Sequence, residues 1–181
     1  LLPPIAGLKD RIDNENHNIY SILGMISHIN DFPKDLEGKK VVVVGGGAVG
    51  LDVVEFFADR NADISIVEMM DQIGRDLDPV SKNDTKTMMK KHNVHQLTKT
   101  ALLEVKDSSF LVRGDGEPYE LPFEYGFVCL GMRAQGQLYQ NLTEEFSSED
   151  VEIMNIGDSQ RARRIIDGTQ EGRNILTVLE Q

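Results

Sequence analysis

Gly45-Gly46-Gly47-Ala48-Val49-Gly50 has the spacing G-x-G-x-x-G, and an acid, Glu68, follows 18 residues after Gly50. Residues of these types at these intervals can hold a dinucleotide. Gly45 allows a sharp turn out of a strand. Gly47, lacking a Cβ, lets backbone approach a pyrophosphate, and Gly50 lets a helix pack close to a sheet. The N–H groups that open the helix, among them those of Ala48 and Val49, then face the phosphates with the positive end of the helix dipole. The Glu68 carboxylate can accept from an adenosine ribose 2′-hydroxyl and would repel a 2′-phosphate. No Arg or Lys stands directly after it, Arg75 being the nearest. The expected ligand is therefore NAD(H).

Other reactive residue types lack partners. His92 and His95 are three apart, but no third ligand is evident, so no metal site is expected. Cys129, inside Phe127–Leu130, reads as a small core residue. His17 and His28 have no evident partner, and the pairs Met69-Met70 and Met88-Met89 read as packing. With no Ser/His/Asp triad and no Cys/His pair, no catalytic side chain is expected.

The elements that must position these residues are legible in the pattern. Val41 to Val44 is a run buried on both faces of a sheet, ending at the glycines. Val49, Val53 and Phe57 recur at helical spacing, with Asp52, Glu55 and Asp59 between them. Asp63 to Val67 is a second strand ending at Glu68. Asp78 or Ser81 caps a helix through Lys90, and Val94–Leu97 is a third strand. No helical pattern follows. Instead Thr100–Val105, Ser109–Val112 and Tyr119–Pro122, parted by Lys106-Asp107 and Gly114-Asp115-Gly116, read as an antiparallel meander. Gly126 to Gly131 reads as another buried parallel strand. Residues 1–16 read as an extended arm, Ile19–Ile29 as a short helix, 152–156 as a last strand, and Arg161 to Glu180 as a helix. The predicted class is α/β, a Rossmann-like parallel sheet with a β-meander crossover.

Composition limits the remaining choices. The chain has 181 residues, 40% of them hydrophobic, enough for one core with appendages. Its charge, 19 − 30 = −11, argues against nucleic acid or an anionic membrane surface as partner. No apolar run approaches a membrane span, and one cysteine permits neither an internal disulfide nor a multi-cysteine cluster site. A chain with no secretory leader, in the cytoplasm, is expected. Leu1-Leu2-Pro3-Pro4 at the start suggests a piece excised from a longer protein.

The motif, the meander, Leu130-Gly131-Met132-Arg133 and Asn155-Ile156-Gly157-Asp158 resemble the flavoproteins in which an NAD(P)H-binding domain is inserted into an FAD-binding domain. Finer features are similar to the NADH:flavin oxidoreductases of the 2-enoate reductase, 2,4-dienoyl-CoA reductase and trimethylamine dehydrogenase type. These are Asp52 after the glycine turn, Val67-Glu68 followed by Ile73-Gly74-Arg75-Asp76, and Gly157-Asp158 followed by Arg163-Arg164-Ile165 and Glu171-Gly172.

The resemblance covers nearly the whole chain. It implies an NAD(H)-binding domain over 37–135, flanked by FAD-domain remnants: an arm and short helix over 1–36, and a return segment with a C-terminal helix over 136–181. It implies that Gly131 lets backbone approach the nicotinamide half, and that Gly157 and Asp158 correspond to an FAD ribityl contact. Asp158 also reads as a cap for the tail helix. Arg161, Arg163 and Arg164 read either as a solvated helix start or as a contact with flavin or another domain. The resemblance further implies FAD in the intact protein, with FMN and an iron–sulfur cluster in domains lying elsewhere. An FAD glycine motif, a flavin-bearing barrel and a cysteine cluster are not in this sequence, and Ala134-Gln135 stands where a proline often follows.

The function implied is delivery of hydride from NADH to FAD in the intact enzyme, this chain alone being inactive. Two alternatives stay open. One is a stand-alone NAD-binding sensor without redox activity, and the other is a glycine motif that holds FAD itself.

Overall fold

The computed structural model describes residues 5–131, 134–148, 150–163 and 165–179. A larger compact unit ends at Gly131, and a smaller one follows it. In the larger unit, β1 (Ile19–Tyr20), β2 (Lys40–Val44), β3 (Asp63–Val67), β4 (His95–Leu97) and β8 (Tyr125–Val128) form one parallel sheet in the order β1-β8-β2-β3-β4. Helix α3 (Ala48–Ala58) joins β2 to β3, and α4 (Pro79–Lys91) joins β3 to β4. The crossover from β4 to β8 is a three-stranded antiparallel sheet of β5 (Ala101–Val105), β6 (Ser109–Arg113) and β7 (Tyr119–Pro122). This is the α/β class and the meander crossover read from the sequence.

The valine run explains the layering. Side chains alternate along a strand, so Val41 and Val43 enter one core with Val53, Val54, Phe57, Ile64, Ile66 and Phe127. Val42 and Val44 enter the opposite core with Val67, Phe110, Val112 and Val128. All four are at most 2% exposed. Burying each stabilises the fold by roughly 1.5–3 kcal/mol relative to exposure. On the first side an aromatic cluster closes the helix layer: Phe57 lies 4.8 Å from Phe127 and 5.2 Å from Phe32 between ring centroids.

Asp78 caps α4, its Oδ1 accepting from the N–H groups of Val80 (2.9 Å) and Ser81 (3.1 Å). The Ser81 hydroxyl, donating to Oδ2, and then those backbone bonds hold the Asp78 carboxyl below its ordinary value.

Three sequence readings need correction. Residues 1–16 are not simply an extended arm. Ala6 bridges to Glu104 of β5, Leu8–Arg11 forms helix α1, and Leu8 is fully buried. Ile19–Ile29 is not one helix, because Ile19 and Tyr20 pair with Gly126 and Phe127. Helix α2 covers Ile22–Ser27, where the Ser21 side chain accepts from the Gly24 N–H. Residues 152–156 form no strand, since none of the described strands pairs with them.

The smaller unit holds α5 (Gln137–Glu145), which the sequence reading missed, a single 3-10 turn (Gly157–Ser159) and α6 (Ile165–Leu179). Leu1 to Pro4, Met132, Arg133, Arg164 and Glu180, all used in the sequence reading, lie outside the described residues. Among the described residues no helix is long and apolar enough to cross a membrane.

Candidate dinucleotide site

The glycine turn stands at the carboxyl end of β2, between the ends of β3 and β8. Gly45 has φ +108°, a conformation open to glycine and strained for other residues. Its N–H donates to Val67 O (2.8 Å), and a Cβ here would lie 2.2 Å from Cys129 O. Gly50, in the first turn of α3, is packed as tightly, for its Cβ would lie 1.8 Å from Gly45 O. Gly47 differs from both. It is the N-cap of α3 with φ −78°, it is exposed, and a Cβ there would meet no heavy atom within 4 Å. The protein's own packing does not require glycine at 47. Beside it the first N–H groups of α3, including Ala48 and Val49, have no acceptor within the helix.

Glu68 follows β3 and is half-buried. Its Oε2 accepts from the Gly46 N–H at 2.6 Å, and its Oε1 accepts from the Met70 N–H at 2.7 Å. Its own backbone is tied to the end of β4, Glu68 N–H donating to Leu97 O (2.9 Å) and Thr100 N–H to Glu68 O (2.9 Å). The segment Ile73-Gly74-Arg75-Asp76 lies over the turn. Gly74 N–H donates to Gly46 O at 2.7 Å, and Ile73 Cγ1 would lie 3.1 Å from a Cβ on Gly46. Sequence reasoning noted this segment as a point of resemblance but missed its contact with the turn, as it missed Met70. A glycine six residues after an acid at a strand end is the signal that was available. Arg75 is exposed.

Gly131 follows β8 with φ +79° and open space at its Cβ position. Gly45, Gly46, Gly47, Ala48, Val49, Gly50 and Glu68 thus gather at the carboxyl ends of the parallel strands, where doubly wound sheets bind ligands. Gly131 stands at the end of the neighbouring β8. Open backbone at 47 and an acid with acceptor capacity left suit a dinucleotide. A carboxylate has about four lone-pair directions, and two are used here.

Cys129 is buried, and burial pushes its thiol up to about 12, with Asp52 adding in the same direction. His95 Nε2 lies 3.4 Å from Asp63 Oδ1, and no group of three His, Cys, Asp or Glu side chains among the described residues could hold a metal.

In the smaller unit, Gly157 has φ +65°, and its N–H donates to Glu171 Oε2 at 2.7 Å. The Arg163 guanidinium pairs with the other oxygen of Glu171. These two contacts, that with Gly157 the larger, hold the Glu171 carboxyl below its ordinary value. Asp158 is exposed, and its Oδ1 accepts from the Arg163 N–H at 3.2 Å, ahead of α6.

The model of the pyridine nucleotide-disulphide oxidoreductase family matches residues 2–155. The chain is 26% identical to a metal reductase of Desulforamulus reducens, over 76% of this chain and 24% of that protein. It is 25% identical to an NADH oxidase of Thermoanaerobacter brockii, over 93% of this chain and 25% of that protein. Among solved structures, a 2-naphthoyl-CoA reductase in complex with 2-naphthoyl-CoA superposes with a TM-score of 0.69 at 20% identity, over 95% of this chain and 24% of that one. The chain spans about a quarter of the length of each.

Proposed function

From the premise that the chain belongs to the pyridine nucleotide-disulphide oxidoreductase family, we propose that it is the NADH-binding domain of a flavin-dependent NADH:flavin oxidoreductase. The observation that carries this reading is an open Gly47 at the helix N-terminus, beside a carboxylate at the end of the next strand. The backbone of Gly47, Ala48 and Val49 receives the pyrophosphate, and Gly45 and Gly50 set the shape of the turn. Glu68 accepts from the adenosine ribose, and Gly131 leaves room for the nicotinamide half. When bound, the nicotinamide supplies a hydride and FAD accepts it. The protein's part is position and electrostatics, with no side chain acting as acid or base.

On this reading residues 37–135 are the NAD(H)-binding domain. Residues 1–36 and 136–181 belong with an FAD-binding part, where Gly157 and Asp158 contact the flavin. FMN and an iron–sulfur cluster belong to further domains, since the buried Cys129 offers no cluster ligand set here. A cytoplasmic setting suits that lone thiol.

NADH should bind more tightly than NADPH. A 2′-phosphate against the Glu68 carboxylate costs on the order of 1–3 kcal/mol, about 5- to 150-fold in affinity. Calorimetry on the purified chain checks this, and equal or tighter binding of NADPH would overturn it. The chain should also show no steady NADH oxidation with an enoate when flavin is neither bound nor added. Hydride transfer needs an acceptor roughly 3–3.5 Å from the nicotinamide, and this chain supplies none of its own. An anaerobic assay with and without FAD tests the point, and turnover without any flavin would reveal a catalytic centre in the chain itself. A flavin-free chain that binds NADH would also speak against the motif holding FAD.

A further inference from the structure

We infer that Glu68 is a positioning residue for the phosphate-facing turn, in addition to being a ribose acceptor; the inference rests on the dinucleotide reading above. The two roles make different demands on one carboxylate. A ribose contact needs a lone-pair direction left over, and each carboxylate oxygen has one beyond a single main-chain bond. Here both oxygens are engaged by main chain, Oε2 by Gly46 N–H at 2.6 Å and Oε1 by Met70 N–H at 2.7 Å. Gly46 is buried, and its carbonyl is taken as well, by Gly74 N–H at 2.7 Å. The middle glycine of the turn is thus held on both polar groups by the segment 68–74, and Glu68 supplies the only side chain in that clamp. Its carboxylate packs directly on the turn, since a Cβ on Gly46 would lie 3.1 Å from Oε2 and 3.2 Å from Glu68 Cβ. The Gly46 N–H is thereby turned from the phosphates, leaving Gly47 and the start of α3 to receive them.

An uncharged amide cannot replace this group. Glu68→Gln keeps the size but offers one oxygen acceptor, and its NH2 must face one of the two backbone N–H groups, donor against donor. The variant should therefore bind NADPH no better than the parent. Relief of 2′-phosphate repulsion is offset by a loosened turn.

The test uses ligands that differ only at the ribose. Parent and Glu68→Gln chains are titrated calorimetrically with ADP-ribose and with its 2′-deoxyadenosine analogue, after matching far-UV dichroism and melting to confirm folding. If Glu68 shapes the turn, the variant loses at least tenfold in affinity for both ligands, the one without a 2′-hydroxyl included. If the variant binds the deoxy analogue as well as the parent does, Glu68 acts through the hydroxyl alone and the inference fails. Amide hydrogen exchange on the ligand-free chains decides the same question independently. The Gly46 and Met70 amides should exchange at least tenfold faster in Glu68→Gln, and unchanged rates would overturn the inference. A parent chain that binds neither ligand would sink the dinucleotide reading, while the exchange rates would still report on the clamp.

Discussion

Gly50→Val is expected to destabilise the larger unit by on the order of 3 kcal/mol or more, lowering the midpoint of thermal unfolding by roughly 6–12 °C. The added Cβ would fall 1.8 Å from the Gly45 carbonyl oxygen, well inside van der Waals contact. Neither partner can yield cheaply. Gly45 is pinned by its own N–H to Val67 O at 2.8 Å, and its φ of +108° leaves no room to rotate without breaking the exit from β2. Helix α3 is anchored by Val53, Val54 and Phe57, all fully buried. The helix must move off the sheet, opening the packing of Phe57 on Phe127. Gly116→Ala serves as the control: nothing lies within 4 Å of its Cβ position, and the change should stay within about 0.5 kcal/mol. Melting followed by circular dichroism makes the comparison. A Gly50→Val chain as stable as the control would mean that the turn and helix are not packed as described.

The sheet and its crossover were legible because their residues satisfy local and global demands together. Val41–Val44 could only be a strand with two buried faces, and the structure gives each face its own core. The β5–β7 ribbon announced itself through polar turns between short β-branched and aromatic runs. The segment before β2 was less legible because its structure is set from a distance. Ile19 and Tyr20 carry an apolar pattern that suits a helix, yet they pair with Gly126 and Phe127, more than a hundred residues on. Leu8 is buried against the meander, a contact that periodicity over a few residues cannot report. At the site, the positions of the glycine turn after β2 and of Glu68 after β3 were readable, whereas the bonds that Glu68 makes were not. They depend on where the 69–74 segment folds back, and Gly74, with φ +66°, directs that return.

Gly47→Val should reduce affinity for NADH by more than about 100-fold, which corresponds to ~2.8 kcal/mol, and leave the fold intact. The contrast with Gly50 is what gives the experiment its force, because the same substitution three residues apart meets two different surroundings. At Gly47 a Cβ meets no protein atom within 4 Å, and φ of −78° is accessible to any residue. The native packing therefore tolerates valine, and melting should shift little. What the two methyl groups occupy is the space in front of the helix N-terminus, where a pyrophosphate must come within about 2.7–2.9 Å of main-chain nitrogen to form charge-assisted bonds. Each such bond contributes roughly 1.5–3 kcal/mol, so losing one or two suffices for the expected effect. Gly47→Ala, with one smaller group, should fall between parent and valine. Calorimetric titration with NADH, read beside the melting curves, separates the causes. Weak binding by a stable Gly47→Val chain places the phosphates at this turn, whereas undiminished binding would move the dinucleotide elsewhere and leave Gly47 without the role assigned to it.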